Sequence, residues 1–327
     1  MVNYKRDWRG PVLWREDNMS QFPATPKWKR AALLFAPDRL RRSFDLAPSE
    51  QAAFALRKVQ GGRVPPRYKH VSFLIPLVSP EQVGDWQAVC ERLHETLRCM
   101  IAQDDPHWQA VICCQTRPPL PMDERITWLP FDDPTPGNDK WRKLQALVDH
   151  LAALSLPPGY VMSFDADDLL RQGTVAQMLG RQAPGGYLVR EGYVLNSASG
   201  EIALAGAARL KMPLRKPFWK LCGSCAALGF DPSLPEAAAF LRAMLAHEHR
   251  MFPYLASLAG LALTPLDQPS VLYVLNHGEN FGARRGRVSF KQRFVTRHAI
   301  TDSQELSELA LGFPAPENDE AANGQDF

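Results

Sequence analysis

An apolar stretch that ends in three carboxylates places the strongest constraint on the fold of this chain. A proline-glycine turn at residues 157–159 precedes the apolar residues 160–164, and Asp165, Asp167 and Asp168 follow directly. An apolar run after such a turn predicts a buried strand of an α/β sheet. Ligands of open α/β sheets bind at the carboxyl ends of these strands. Carboxylates two residues apart at that end can hold a hard divalent cation, and the cation can hold a diphosphate.

The order of the other predicted elements indicates an α/β fold. Strands are predicted at residues 70–76, 108–114, 126–131, 160–164 and 271–275, with a hairpin formed by residues 187–195 and 201–205. Helices are predicted at residues 81–103, 144–154, 174–180, 235–245 and 248–259, and Ser233 is predicted to cap the fourth of them. Strand, helix, strand, strand, helix, strand is typical of a mostly parallel central sheet that is flanked by helices.

Composition and charge limit the classes of protein to which the chain can belong. Its 327 residues are 45% apolar and 22% charged, which is typical of an ordinary globular protein with one large or two small domains. A net charge of +3 gives no reason to expect a nucleic-acid partner. No run has the length of a transmembrane helix and no signal sequence is visible, so a cytoplasmic location is expected. The six cysteines are then reduced, and core packing is their expected role.

The charge distribution divides the chain into three predicted parts. Residues 1–68 carry about twice as many basic as acidic residues and form a predicted N-terminal extension. Such a segment can contact the inner face of a membrane peripherally, or it can simply contain a solvated helix face. Residues 69–300 form the predicted main domain, and residues 301–327 form a tail that is expected to be partly disordered.

Three stretches resemble the GT-A fold glycosyltransferases of the family 2 type. Residues 71–76 (VSFLIP) are similar to the opening strand, which ends in a proline beside the nucleotide. Residues 93–115 (LHETLRCMIAQDDPHWQAVICCQ) resemble the following helix, turn and second strand, and residues 160–170 (YVMSFDADDLL) match the metal-site strand. The resemblance covers roughly residues 70–285. It implies a mostly parallel GT-A-type sheet and a donor substrate that is a nucleotide-diphosphate sugar.

The resemblance also implies where the donor and a divalent cation, Mn²⁺ or Mg²⁺, bind. The expected metal ligands are Asp165, Asp167 and a C-terminal histidine, His277. The expected donor-binding residues are Pro76, Gln115 and Asp165. Independently of the resemblance, Arg284 and Arg285 in a basic, glycine-containing loop could neutralise the leaving diphosphate, and a solvated face is the alternative. The family has an acidic pair after its second strand, whereas this chain has Gln115 at that point, so the nucleotide stays open.

The resemblance places the catalytic base at Glu248 or His249. The family carries a Glu-Asp pair there, with a glycine about eleven residues further on, which corresponds to Gly260. An imidazole can accept a proton at neutral pH, so either residue can deprotonate the acceptor hydroxyl. The expected acceptor is a saccharide or a glycolipid, and the expected reaction is an inverting transfer, in bacterial surface polysaccharide synthesis. Trp219 is a candidate for stacking on the acceptor sugar, and simple core packing explains it equally well.

Two other functions remain open from the sequence. One is a GT-A-like scaffold that has lost activity and serves in binding or assembly, which the missing acidic pair favours. The other is a phosphatase of the haloacid-dehalogenase type, because Asp165 and Asp167 also resemble its nucleophile motif. That family follows the motif with Gly and Thr, and both are absent here.

Overall fold

The computed structural model describes residues 21–35, 37, 43–135, 137–210, 212–276 and 288–313. A seven-stranded sheet forms the centre, with the strand order β10-β6-β9-β4-β1-β2-β3, and a second sheet has the order β5-β11-β7-β8. The strands are β1 (Val71–Pro76), β2 (Trp108–Cys114), β3 (Ile126–Pro130), β4 (Gly159–Ser163), β5 (Asp168–Leu170), β6 (Gly186–Leu188), β7 (Gly192–Asn196), β8 (Glu201–Ala205), β9 (Ala226–Phe230), β10 (Thr264–Pro265) and β11 (Val271–Leu275).

Pairing in the large sheet is mixed but mostly parallel. β1 pairs in parallel with β2 and β4, β2 with β3, and β6 with β10, whereas β9 runs antiparallel to both β4 and β6. β1, β2 and β4 are buried along almost their whole length, because helices cover both faces of the sheet. The predicted α/β class is confirmed.

Helices flank this sheet. Among the described residues they are α1 (Lys27–Phe35), α2 (Pro48–Gln60), α3 (Trp86–Ile101), α4 (Lys140–Ala153), α5 (Thr174–Arg181), α6 (Pro235–Leu245), α7 (Phe252–Leu258), α8 (Val288–Arg297) and α9 (Ser303–Gly312). The first α3 turn is capped by Asp85, whose side chain accepts from the Ala88 N–H. The buried residues of α3 recur at helical spacing, as predicted.

Two local predictions are wrong. Residues 187–195 do not form one strand: β6 joins the large sheet through β9, and the chain then crosses to the small sheet, where β7 pairs with β8 and β11. Ser233 does not cap α6, whose N-cap residue is Leu234; the Ser233 hydroxyl instead donates to Asp231.

The described part of the N-terminal segment packs into the main core. Leu33 of α1 and Ala53 and Leu56 of α2 are buried in the same apolar cluster as the central strands. The carboxylate of Glu50, which is fully buried, accepts hydrogen bonds from Thr25 (2.8 Å) and from Tyr254 of α7 (3.0 Å). Polar and apolar contacts therefore join this segment to the sheet domain.

The C-terminal residues that the structure describes also pack on the protein. Leu309 and Phe313 at the end of α9 form a small cluster with Tyr193 and Leu272 of the second sheet. The remainder of the predicted tail, residues 314–327, lies outside the described residues. All six cysteines are buried thiols without a disulfide. No helix within the described ranges is long and apolar enough to span a membrane.

Candidate functional site

A cavity of about 320 Å³ opens at the carboxyl ends of β1 and β4. These strands are neighbours in the sheet, and the chain proceeds from β1 to β2 on one side but reaches β4 on the other. Such a reversal of strand order is the usual ligand-binding position of an open α/β sheet. Five of the predicted site residues line the cavity: Pro76, Asp165, Asp167, Glu248 and His249.

Asp165 is held by a lysine that the sequence did not single out. The Lys140 ammonium, on the first residue of α4, donates to Asp165 Oδ1 at 2.6 Å. Burial by itself raises the pKa of Asp165, but the charge and hydrogen bond of Lys140 reverse the effect, so the pKa is lowered. Burial likewise opposes the charge on Lys140, yet the Asp165 carboxylate keeps the pKa of Lys140 above its usual value. The two form a charged pair at the cavity wall.

Asp168 points away from the cavity into the protein. Its side chain is fully buried, and its Oδ2 accepts from the Ser224 hydroxyl at 2.5 Å and from the Cys222 thiol at 3.1 Å. Burial, and then the charges of Asp167 and Asp165, raise the pKa of Asp168 well above the ordinary value of an aspartate. Asp168 is thus a buried group that bonds within the protein, while Asp165 and Asp167 line the cavity.

The loop before β9 contacts both Asp165 and Asp168. Ser224 also accepts a hydrogen bond from the Asp165 backbone N–H at 2.9 Å, so one hydroxyl links Asp165 and Asp168. A Cβ atom on Gly223 would lie 3.1 Å from Asp165 Oδ2. The absence of a side chain at Gly223 therefore lets the loop backbone lie close to the Asp165 carboxylate.

A second cation reaches the cavity from α8. The ammonium of Lys291 donates to the Tyr273 hydroxyl at 2.5 Å and lies 4.4 Å from the centre of that ring. Burial lowers the pKa of Lys291, and the charges of Asp168 and Asp165 oppose that change. Lys291 and Tyr273 both line the cavity, so ammonium groups approach the carboxylates from two helices.

His249 lies beside this cluster as a neutral imidazole. Burial, followed by the positive charges of Lys291 and Arg250, lowers the pKa of His249 to about 4. Its Nε2 atom is buried and has no hydrogen-bond partner within the described ranges. A neutral ring with such a nitrogen at a cavity wall is able to accept a proton from a ligand.

Glu248 lies between this cavity and a second one of about 920 Å³, because it lines both. The second cavity combines cationic and aromatic side chains, namely Lys27, Arg30, Lys216, Lys220, Arg250, Trp219, Tyr254 and Phe290. The Lys220 ammonium lies 5.0 Å from the centre of the Trp219 ring. An anionic or carbohydrate ligand suits such a lining.

Other predicted site residues do not reach the cavity or fall outside the described residues. Gln115 is absent from the described cavity lining; its Nε2 donates to Asp139 at 2.6 Å, and Asp139 is paired with the buried Lys143. This pair ties the start of α4 to the end of β1, because Lys143 donates to the Leu77 carbonyl. His277, Arg284 and Arg285 lie outside the described residues.

The described residues do not form a three-ligand side-chain site for a divalent cation. Within the described ranges, no three His, Cys, Asp or Glu side chains are grouped so that they could hold a metal. Asp165 is paired with Lys140, and the buried Asp168 carboxyl receives two hydrogen bonds from other groups. Asp165, Asp167 and Glu248 line the cavity, and His277, the other expected metal ligand, lies outside the described residues.

Three residues of the site, Lys140, Lys291 and Tyr273, were not among the predicted ones. Lys140 begins a helix, where a cation is unfavourable beside the positive end of the helix dipole, so a nearby anion could have been suspected. Lys291 and Tyr273 carry no local signal, because their contact with the site depends on how distant segments pack.

Comparison with known proteins adds no assignment. No family model matches this chain, and no curated protein is significantly similar to it. The function must therefore be argued from the site itself.

Proposed function

We propose that the protein is a glycosyltransferase whose donor substrate is a nucleotide-diphosphate sugar. The observation that carries this proposal is the cavity at the strand-order reversal, which is lined by Asp165, Asp167 and the two candidate bases, Glu248 and His249. The mostly parallel sheet with flanking helices agrees with the GT-A resemblance of the sequence. A cavity of about 320 Å³ lies within the size range of small-molecule binding sites.

The proposed reaction is a single displacement at the anomeric carbon of the donor sugar. The acceptor hydroxyl oxygen forms the new bond to that carbon, and its proton passes to Glu248 or His249. The bond from the carbon to the diphosphate oxygen breaks, and its electron pair leaves with the diphosphate. Attack from the face opposite the leaving group inverts the anomeric configuration. The ammonium groups of Lys140 and Lys291 lie where they can stabilise the departing negative charge.

The second cavity is the proposed acceptor site. It adjoins the donor cavity at Glu248, so a hydroxyl of a molecule bound there can meet the base and the donor at one point. Trp219 and Tyr254 offer ring faces for a sugar, and the surrounding lysines and arginines suit an acceptor with negative charge. A saccharide or a glycolipid with anionic groups has this chemistry.

Titration calorimetry with UDP, GDP, CDP, ADP and dTDP in the presence of Mn²⁺ tests the donor site. We expect one of them to bind, and we expect Ala166→Trp to abolish that binding, because Ala166 lines the cavity. The matched control is Ala55→Trp on the exposed side of α2, which should bind as the wild type does. If none of the five binds, the proposal fails.

Turnover separates an enzyme from a binding scaffold. The cognate nucleotide sugar should be consumed in the presence of a mixture of saccharide acceptors, or slowly hydrolysed by water without one. Nucleotide binding without any consumption of nucleotide sugar would favour the non-enzymatic scaffold. That candidate is supported by Gln115, which contacts Asp139 where the family has an acidic pair.

A further inference from the structure

Two lysines, Lys140 and Lys291, line the cavity in which a divalent cation is expected. Lys140 contacts Asp165 directly, and its charge also interacts with Asp167 and Asp168. Lys291 approaches the same carboxylates from α8, on the side of Tyr273. The two lysines are 151 positions apart in the sequence, and folding brings them to one cavity.

Lys140 already neutralises one of the two carboxylates that would hold a divalent cation. Asp165 Oδ1 already accepts a charge-assisted hydrogen bond of 2.6 Å, and Asp168 is directed towards Ser224 and Cys222. The described ranges contain no third ligand to join Asp165 and Asp167. An ammonium group supplies positive charge and hydrogen-bond donors without needing that coordination shell.

We propose that Lys140 and Lys291 bind the diphosphate of the donor in place of a divalent cation, an inference that rests on the proposed glycosyltransferase function. Both side chains line the cavity, and the Lys140 side chain is 35% exposed, so a ligand can reach it. Lysine is an established phosphate-binding residue, and its charge-assisted hydrogen bonds are stronger than neutral ones.

The start of α4 adds to this positive field. Lys140 is the first residue of a 14-residue helix, and the N-cap residue Asp139 makes no side-chain capping hydrogen bond. Asp139 and Lys140 both line the cavity, so the positive end of the helix dipole lies near the Lys140 ammonium group, while the Asp139 carboxylate is paired with Lys143. Asp165 balances this charge through its ion pair with Lys140.

Calorimetric titration of the cognate nucleoside diphosphate in EDTA, and again in Mn²⁺ or Mg²⁺, tests the inference. We expect dissociation constants within about threefold of each other in the three buffers. Binding that appears only with the metal would overturn the inference while leaving the glycosyltransferase proposal intact. Absence of binding in every buffer would overturn both, because the glycosyltransferase proposal requires a nucleotide site.

Lysine variants measured in EDTA identify the groups that contact the phosphates. Lys140→Gln and Lys291→Gln should each weaken diphosphate binding by roughly ten- to a hundredfold, the usual loss for a hydrogen bond to a charged group. Lys140→Arg should restore most of the affinity, since the charge is kept. The control is Lys69→Gln, which changes an exposed lysine away from the cavity.

A second ligand distinguishes phosphate contact from general damage to the site. The corresponding nucleoside, which has no phosphate, should bind Lys140→Gln and the wild type equally well. Equal losses for nucleoside and diphosphate would contradict the inference, because they would show that Lys140 only keeps Asp165 in position. Wild-type affinity of both glutamine variants for the diphosphate would also overturn it.

Discussion

Replacing Glu50 by alanine should destabilise the whole protein, although Glu50 lies in the segment that the sequence presents as an extension. The Glu50 carboxylate is fully buried and accepts hydrogen bonds from the hydroxyls of Thr25 and Tyr254 and from the Ala47 backbone N–H. It also forms an ion pair with Lys29 at 3.2 Å. These contacts join the N-terminal segment to α7.

The size of the effect follows from the partners that lose their acceptor. Thr25 and Tyr254 are each 7% exposed, so their hydroxyls have little access to water. A buried donor without a partner costs about 1–3 kcal/mol, and the loss of the N-terminal cap of α2 costs about 1 kcal/mol. Glu50→Ala should therefore lower the free energy of unfolding by roughly 3–7 kcal/mol, a large share of the total for a domain. Glu50→Gln keeps the shape and should cost about half as much.

Urea denaturation followed by circular dichroism measures this loss, with the exposed Glu124→Ala as the control at roughly 0.5 kcal/mol or less.

Burial opposes ionisation of Glu50, but the hydrogen bonds from Thr25, Ala47 and Tyr254 prevail and lower its pKa below 4.5. The stabilisation is therefore complete above pH 4.5 and is lost as the pH falls through the lowered pKa. If Glu50→Ala lowers the free energy of unfolding by less than 1 kcal/mol at pH 7, the reasoning is refuted. The N-terminal segment would then be an extension that adds little to the stability of the main domain.

Two further predictions concern the site. Gly223→Ala should weaken nucleoside diphosphate binding several-fold in calorimetry, because the new Cβ presses on the Asp165 carboxylate. The melting temperature should change little. Unchanged affinity would show that the loop moves to make room for the methyl group. The residue that acts as the base should lose roughly two to four orders of magnitude in turnover on replacement, in His249→Ala or in Glu248→Gln. With its pKa lowered to about 4 by burial and by Lys291, His249 stays neutral, so a rate that depends on it should be constant from pH 8 to pH 5 and fall only near pH 4. A fall near pH 6.5 would contradict that environment.

Local pattern was sufficient to predict several strands of the two sheets. The predicted strands at residues 108–114 and 271–275 coincide with β2 and β11, and the strand at residues 70–76 differs from β1 by one residue. These runs are apolar because both faces of the strand are covered, and proline or polar residues end them. The carboxylates after β4 were predicted at a ligand-binding sheet end for the same reason, and Asp165 and Asp167 do line a cavity there.

Only the tertiary structure determines which charged side chains contact one another in the site. The sequence places Asp165, Asp167 and Asp168 together, yet folding turns Asp168 inward to Ser224 and pairs Asp165 with Lys140, 25 positions earlier. Side-chain periodicity reports whether a residue is buried but not which element covers it, so neither Lys140 nor Lys291 could be assigned to the site beforehand. The same limit explains the division of residues 187–195 between two sheets, because strand pairing depends on distant partners and not on local sequence.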